Sequence, residues 1–193
     1  MTVFPARTET DSFVIRKYTA DDGPALRHAT NASYEHLKRY MPWATDSQSA
    51  VEANELAAFF DRQYVAGTDF VLGVWNRDET QLIGGTGFHL REGPLRGRCA
   101  EVGMWIHADH AGKGLGKAVL RQLLRWGFTE WDWLRLSWRC DEENIASIRV
   151  AEAVGMTHEG TLRGQFDDVT EGRCNTVIYA ILRKEWAADN GQG

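Results

Sequence analysis

The chain has 193 residues, of which 43% are hydrophobic and 25% charged, and its formal net charge is −5. This is the composition of an ordinary globular protein, and no apolar run reaches the roughly 18 residues that a membrane-spanning helix needs. The acidic balance argues against nucleic acid as a partner, because there is no excess of cations to pair with a phosphate backbone. The polar first residues do not resemble a signal peptide, so we expect a cytoplasmic protein without a membrane partner.

The cysteines and histidines give no metal-binding pattern. Cys99, Cys140 and Cys174 are isolated in the sequence and form no CxxC pair. His107 and His110 are spaced like metal ligands, but no third ligand cluster accompanies them. We therefore predict no metal site.

Apolar periodicity predicts alternating strands and helices. The predicted strands cover residues 13–16, two runs around a polar turn at 76–81, 99–108, 134–140, 157–162 and 175–182. The predicted helices cover 21–40 with a break near 31–33, 50–65 with Gly67 as C-cap, 116–128 and 144–154. This order favours a mixed α/β sheet in a single domain over residues 1–186, with a disordered tail at 187–193.

The segment HAGKGLGK, residues 110–117, is a glycine-rich turn between a predicted strand and a predicted helix. The segment does not match a Walker phosphate loop, because Ala111 and Ala118 occupy the positions where that motif needs a glycine and a hydroxyl. The segment does not match the dinucleotide-binding fingerprint either, because the third glycine of that motif is missing. The remaining interpretations are a backbone cradle for an anion at a helix N-terminus, and a turn that only links strand to helix.

Two longer segments carry a resemblance to a known family. The first is AEVGMWIHADHAGKGLGKAVLRQLLRWGF and the second is NIASIRVAEAVGMTHEGTLR, together covering roughly residues 99–163. They resemble the two core motifs of the GNAT superfamily of acyl-CoA-dependent N-acyltransferases, and within it the RimJ/RimL-like branch of ribosomal-protein N-terminal acetyltransferases. The segments YMPW and VIYAILRKEW are also similar to that branch.

The resemblance implies the GNAT fold, a mixed and mostly antiparallel central sheet of six to seven strands with helices on both faces. It implies direct transfer of an acetyl group from acetyl-CoA to a primary amine. The implied cofactor-binding residues are Trp105, Ile106, His107, Ala111, Gly112, Lys113, Gly114, Leu115, Gly116, Lys117, Asn144 and Ser147. Ala111 departs from the family, whose loop often begins with Arg or Gln, so we expect Lys113 or Lys117 to supply affinity.

Glu101 is the candidate general base. An α-amine has a pKa of about 8 and a lysine amine of about 10.4, so at neutral pH a base assists the attack. Glu101 lies among apolar residues on the strand before the glycine turn, where the family often places its base. The alternative is a structural glutamate paired with an arginine such as Arg98 or Arg135.

Asn144 and Ser147 also have two interpretations. Asn144 is a good helix N-cap, and Ser147 three residues later suits the first helical turn. Many GNAT enzymes carry a tyrosine acid where this chain has Ala151, and the ribosomal-protein branch resembles it in lacking that tyrosine. By that resemblance we assign the general acid to Ser147. One member of that branch uses a further glutamate in catalysis. The matching position of this chain is Phe166, so we assign that role to no residue here.

The predicted substrate-binding residues are Tyr40, Trp43, Phe88 and Glu101. Trp43 follows a proline in a loop, and it either lines the acceptor groove or only packs. The acceptor is either a protein N-terminus or a small-molecule amine. The transferred group is acetyl or a longer acyl group, and the protein is either a monomer or a homodimer. The alternatives to an enzyme are a catalytically silent acyl-CoA-binding regulator and a structural domain with an incidental glycine turn.

Overall fold

The computed structural model describes residues 4–167 and 172–189. Within these residues the strands are β1 (Arg7–Glu9), β2 (Phe13–Lys17), β3 (Phe70–Asn76), β4 (Leu82–His89), β5 (Cys99–Ile106), β6 (Arg135–Asp141), β7 (Thr157–Asp167) and β8 (Arg173–Leu182). The helices are α1 (Gly23–Ala32), α2 (Tyr34–Leu37), α3 (Ala50–Ala66), α4 (Leu115–Thr129), α5 (Ile145–Glu152) and α6 (Arg183–Asp189). The chain divides into two compact units, one from Met1–His89 and Met104–Gly116, the other from Leu90–Gly103 and Lys117–Gly193.

The first unit contains β1 to β4, each antiparallel to the next. Helix α3 begins with a capping box between Ser49 and Glu52 and ends at Gly67, which adopts the left-handed conformation. Helix α1 starts against α3, because a Cβ on Gly23 would lie only 2.7 Å from Asn54 Cα. The core residues of this unit include Val14, Tyr18, Leu26, Ala29, Ala57, Trp75 and Leu82.

The second unit contains the start of β5, which runs parallel to β6, with Glu101 opposite Ser137. Strand β8 is antiparallel to both β6 and β7. Helix α4 buries one apolar face, formed by Val119, Leu120, Leu123, Leu124 and Phe128. Helix α6 packs Trp186 against Phe128, with ring centroids 5.6 Å apart.

The α/β class with a mixed, mostly antiparallel sheet is confirmed, but the described residues contain eight strands rather than six to seven. The unexpected strand is β1, whose sequence Arg-Thr-Glu has no apolar alternation and which pairs through its backbone with β2. The expected tail is corrected as well, because α6 continues to Asp189. Residues 190–193 lie outside the described residues, and the single-domain boundary at 186 stays a prediction.

None of the helices in the described ranges is long and apolar enough to cross a membrane.

Candidate active site

The glycine-rich turn leaves its backbone accessible. Gly112 and Gly114 have φ values of 71° and 84°, a left-handed conformation that favours glycine. A Cβ added to either residue would meet nothing within 4 Å. Helix α4 begins directly after the turn at Leu115, and the first N–H groups of a helix have no partner within it. Space and unpaired donors therefore coincide at this turn.

The chain enters the turn through a fixed segment. His107 is buried, and its Nδ1 accepts a hydrogen bond of 3.1 Å from the backbone N–H of Asp109. Burial lowers the pKa of His107 below its ordinary value, although Asp109 opposes this effect. Within the described part of the chain, His107 Nε2 is buried without a hydrogen-bond partner. Ala108 N–H donates to Ser33 Oγ at 3.1 Å.

The lysines of the turn differ in their contacts. Lys113 Nζ donates to the carbonyl oxygen of Asp109 at 2.7 Å. Lys117 is exposed in the first turn of α4, and Ala111 is half-buried. Both lysines that we expected to compensate for Ala111 thus lie at the turn. The side chain of Lys113 also bonds back to the backbone of Asp109.

The end of β5 lies beside β4 in the first unit, since His107 N–H donates to Ile83 O at 3.0 Å. A Cβ on Gly85 would lie 2.2 Å from Trp105 Nε1, so this position requires glycine. Trp105 also meets Trp43 edge to face, with centroids 6.1 Å apart. Trp43 is 51% exposed, so this predicted acceptor residue presents an aromatic surface to solvent.

The other predicted residues of this unit differ in exposure. Phe88 is fully buried opposite Phe70 in the β3–β4 pair, which gives it a core role, and its contact with an acceptor stays a prediction. Tyr40 is half-buried, and the guanidinium of Arg39 lies 5.1 Å from its ring centroid. Ile106 is half-buried at the end of β5.

In the second unit, Glu101 is buried and ion-paired. Its side chain is 7% exposed, and Arg91 Nη1 donates to Oε1. Arg139 Nε lies 3.4 Å from Oε2 but makes no hydrogen bond within the described residues. The sequence suggested Arg98 or Arg135 as partners. The structure corrects this, because Arg98 pairs with Asp132 and Arg135 pairs elsewhere.

Glu101 is one end of a chain of alternating charges. Arg139 lies between Glu101 and Glu92, at 3.6 Å from the latter. Arg135 then joins Glu92, at 3.2 Å, to Glu159, which it binds through two nitrogens at 2.6 and 2.7 Å. We call Arg91, Glu101, Arg139, Glu92, Arg135 and Glu159 the charge chain. Sequence reasoning missed Arg91, Arg139 and Glu92; the signal for Arg139 is its position two residues beyond Ser137, on the same face of β6.

Ser147 has two partners in the second unit. Asn144 Oδ1 accepts from the backbone N–H of Ser147 at 3.1 Å, which confirms the predicted N-cap. Trp138 Nε1–H donates to Ser147 Oγ at 2.9 Å. Because the hydroxyl oxygen accepts this bond, the contact with Trp138 does not use the hydroxyl hydrogen, for which Cys140 is one acceptor. Burial raises the pKa of the neighbouring Cys140 thiol, although hydrogen bonds from Ser147 and Trp138 oppose this.

The described residues contain no ready-made set of metal ligands. No group of three or more His, Cys, Asp or Glu side chains in the described ranges could hold a metal ion.

Comparison with known proteins identifies the family. The family model described as an acetyltransferase (GNAT) domain matches residues 12–157, three quarters of the chain. The chain belongs to the GNAT acetyltransferase family. The Bacillus subtilis protein "Uncharacterized N-acetyltransferase YnaD" is 28% identical to it over 92% of this chain and 97% of that relative. This member of the family is therefore an N-acetyltransferase.

Solved structures agree on the GNAT fold. The ribosomal-protein-S5-alanine acetyltransferase from Vibrio fischeri superposes with a TM-score of 0.81, at 15% identity over 94% of this chain and 99% of that one. A ribosomal L7/L12 α-N-protein acetyltransferase in complex with coenzyme A gives a TM-score of 0.76, at 18% identity over 90% and 95% of the two chains. At these identities the likeness shows the fold alone, which this chain shares with ribosomal-protein acetyltransferases.

Proposed function

We propose that this N-acetyltransferase binds acetyl-CoA at the 111–117 turn and transfers the acetyl group directly to a primary amine. The observation that carries the proposal is the open, left-handed backbone of Gly112 and Gly114 directly before a 15-residue helix. Side chains at these positions would fill the space that an anion needs. The donor supplies an activated acyl thioester and a diphosphate, and the turn has the chemistry to hold the diphosphate.

The turn binds the diphosphate through backbone N–H groups, and the partial positive charge of the α4 N-terminus favours the same anion. Lys113 and Lys117 add two positive charges without a metal ion. The end of β5, from Trp105 to His107, pairs with the pantetheine arm, as its family resemblance implies, and Asn144 contacts that arm.

Glu101 is the general base in this proposal. Arg91 occupies Oε1, whereas Arg139 Nε lies 3.4 Å from Oε2 without a hydrogen bond to it. Oε2 is therefore the oxygen that takes the proton from the protonated amine before its nitrogen attacks the thioester. The buried position excludes bulk water from the carboxylate.

Ser147 is the general acid. The indole N–H of Trp138 fixes the hydroxyl oxygen, and the Asn144 cap fixes the backbone of the same residue. The hydroxyl hydrogen then passes to the sulfur as the carbon–sulfur bond breaks. As the carbon–nitrogen bond forms, the nitrogen releases a second proton, which restores the Ser147 hydroxyl through solvent. Glu101 passes its own proton to solvent, so both groups return to their starting states.

The acceptor is a protein N-terminal amine or a small-molecule amine. The names of the ribosomal-protein relatives favour the former, and the exposed Trp43 ring offers an apolar wall to either. A cytoplasmic location and the absence of nucleic acid and membrane partners stay predictions, as does a homodimer.

The test is thermal unfolding with acetyl-CoA, desulfo-CoA and ATP in parallel, followed by thiol release with a panel of amines. Saturation at about 100 times Kd adds about 2.7 kcal/mol, which raises Tm by about 5 to 10 °C for a chain of this size. We expect both CoA species to stabilise the protein and ATP to leave it unchanged. Stabilisation without thiol release would identify a silent binding protein, and no stabilisation would overturn the proposal.

A further inference from the structure

Arg91 stands out among the arginines of the charge chain. Its side chain is 62% exposed, whereas those of Arg135 and Arg139 are 24% and 32% exposed. Its contact among the described residues is one nitrogen on Glu101 Oε1. A guanidinium carries five N–H donors in a planar fork, so most of its donors face solvent beside the proposed base.

Glu101 and Arg91 together present a negative and a positive group side by side. An α-amino acid presents the opposite pair, an ammonium group and a carboxylate on the same carbon. The fork of an arginine binds a carboxylate through two parallel hydrogen bonds, which a lysine cannot do. The pair therefore complements an amine that carries its own carboxylate.

We propose that Arg91 binds the carboxylate of the acceptor and makes the enzyme selective for α-amino acids over amines without an adjacent anion. This inference rests on the proposed function, in which Glu101 takes the proton of the amine. An acceptor carboxylate replaces Glu101 as the partner of Arg91, so the guanidinium never loses an anionic partner. Glu101 then keeps Arg139 as its cationic partner, with Nε 3.4 Å from Oε2.

The test compares α-amino acids with their carboxamides in the thiol-release assay, using wild type, Arg91→Gln and Arg91→Lys. Two charge-assisted hydrogen bonds predict kcat/KM at least about tenfold higher for the acid than for the carboxamide. Arg91→Gln is expected to abolish that ratio by raising KM for the acid more than for the carboxamide. Because this variant also removes a partner of Glu101, the readout is the ratio of acid to carboxamide within each protein. Arg91→Lys keeps the charge without the fork and is expected to fall between the two.

Arg96→Gln is the matched control, because Arg96 is exposed in the same loop and has no ion pair within the described residues. It is expected to keep the wild-type ratio. A binding measurement without turnover gives a second readout. N-acetylated amino acids are expected to bind Arg91→Gln at least about tenfold more weakly than wild type, whereas their carboxamides bind both proteins equally.

The outcomes separate this inference from the proposed function. Equal kcat/KM for acids and carboxamides in wild type, or an unchanged ratio in Arg91→Gln, overturns the role of Arg91 and leaves acetyl transfer intact. Thiol release with peptide N-termini alone also overturns the role of Arg91 and leaves acetyl transfer intact, and it identifies a protein as the acceptor. Absence of thiol release with every amine overturns the proposed function, and the binding measurement then still decides whether Arg91 recognises a carboxylate.

Discussion

The indole of Trp138 holds the hydroxyl of Ser147, with Nε1 donating to Oγ at 2.9 Å. Trp138 lies on β6 and is 5% exposed, whereas Ser147 is half-buried in the first turn of α5. The indole can only donate, so it orients the hydroxyl with its hydrogen pointing elsewhere. A buried residue on a strand thereby sets the direction in which the proposed acid donates.

Ser147→Ala is expected to lower kcat by about 100-fold and to change the acetyl-CoA affinity by no more than about threefold. The Asn144 cap accepts from the backbone N–H of residue 147, so the alanine variant keeps its helix start. Steady-state kinetics and a calorimetric Kd measure the two effects. An unchanged kcat would remove Ser147 from the mechanism. Trp138→Phe, which keeps the ring and removes the donor, is expected to lower kcat by about threefold to tenfold.

Glu101→Gln is expected to lower kcat/KM by about 100-fold at pH 7. The difference from wild type is expected to narrow toward pH 9, because an α-amine with a pKa of about 8 is then already deprotonated. Rates measured across this pH range test the role directly. The control is Glu159→Gln, since that carboxylate pairs with Arg135 at the far end of the charge chain. If the pH profiles of wild type and Glu101→Gln ran parallel, the role of Glu101 would be structural and not catalytic.

Gly114→Ala is expected to weaken acetyl-CoA binding at least about tenfold, because an alanine at a φ of 84° is strained by about 1 to 2 kcal/mol. Gly97→Ala serves as the control. Gly97 also faces open space, but it is not among the residues of positive φ. Calorimetric titration of both variants gives the comparison, and undiminished binding by Gly114→Ala would contradict the assignment of the turn.

Asp22→Asn is expected to destabilise the protein by about 2 kcal/mol at pH 7. Burial alone would raise the pKa of Asp22, but hydrogen bonds from Arg16 and Thr19 outweigh it and lower the pKa below its ordinary value. The carboxylate therefore contributes stability above the pKa of the unfolded state, and the contribution disappears as pH falls through the folded-state pKa.

Urea unfolding at pH 7 and at pH 3 measures this difference. The destabilisation by Asp22→Asn is expected to be smaller at pH 3 than at pH 7. Asp21→Asn, an exposed neighbour, is expected to change the free energy of unfolding little at either pH. A pH-independent effect of Asp22→Asn would show that the pair with Arg16 does not account for it.

Periodic elements could be predicted from the sequence, and the helix at 50–65 and the strand pair at 70–89 show why. Their apolar spacing and the Gly67 C-cap are local signals, and both are confirmed by the structure. Strand β1 has no such signal, because its order comes from backbone pairing with β2. Helix α6 is held by Trp186 on Phe128, a contact between residues 58 positions apart.

The candidate site divides in the same way. The Asn144 cap follows from a three-residue spacing, and the turn at 110–117 from its glycines. The partners of Glu101 do not follow from spacing, because the choice among Arg91, Arg98, Arg135 and Arg139 depends on the loop after β4 and on the register between β5 and β6. Trp138 and Ser147 likewise meet only through the packing of α5 on β6.

The alternation of the charge chain restricts how this sequence can drift. Arg135 touches both Glu92 and Glu159, and Arg139 touches both Glu92 and Glu101. Reversing the charge of an inner member of the chain would therefore place like charges together on two sides. Exchanging Arg135 and Glu159 would keep their own pair but place a glutamate beside Glu92. Glu159 contacts one arginine of the charge chain, whereas Glu101 contacts two. Descendants of this sequence should therefore accept substitutions at 159 more readily than at 101.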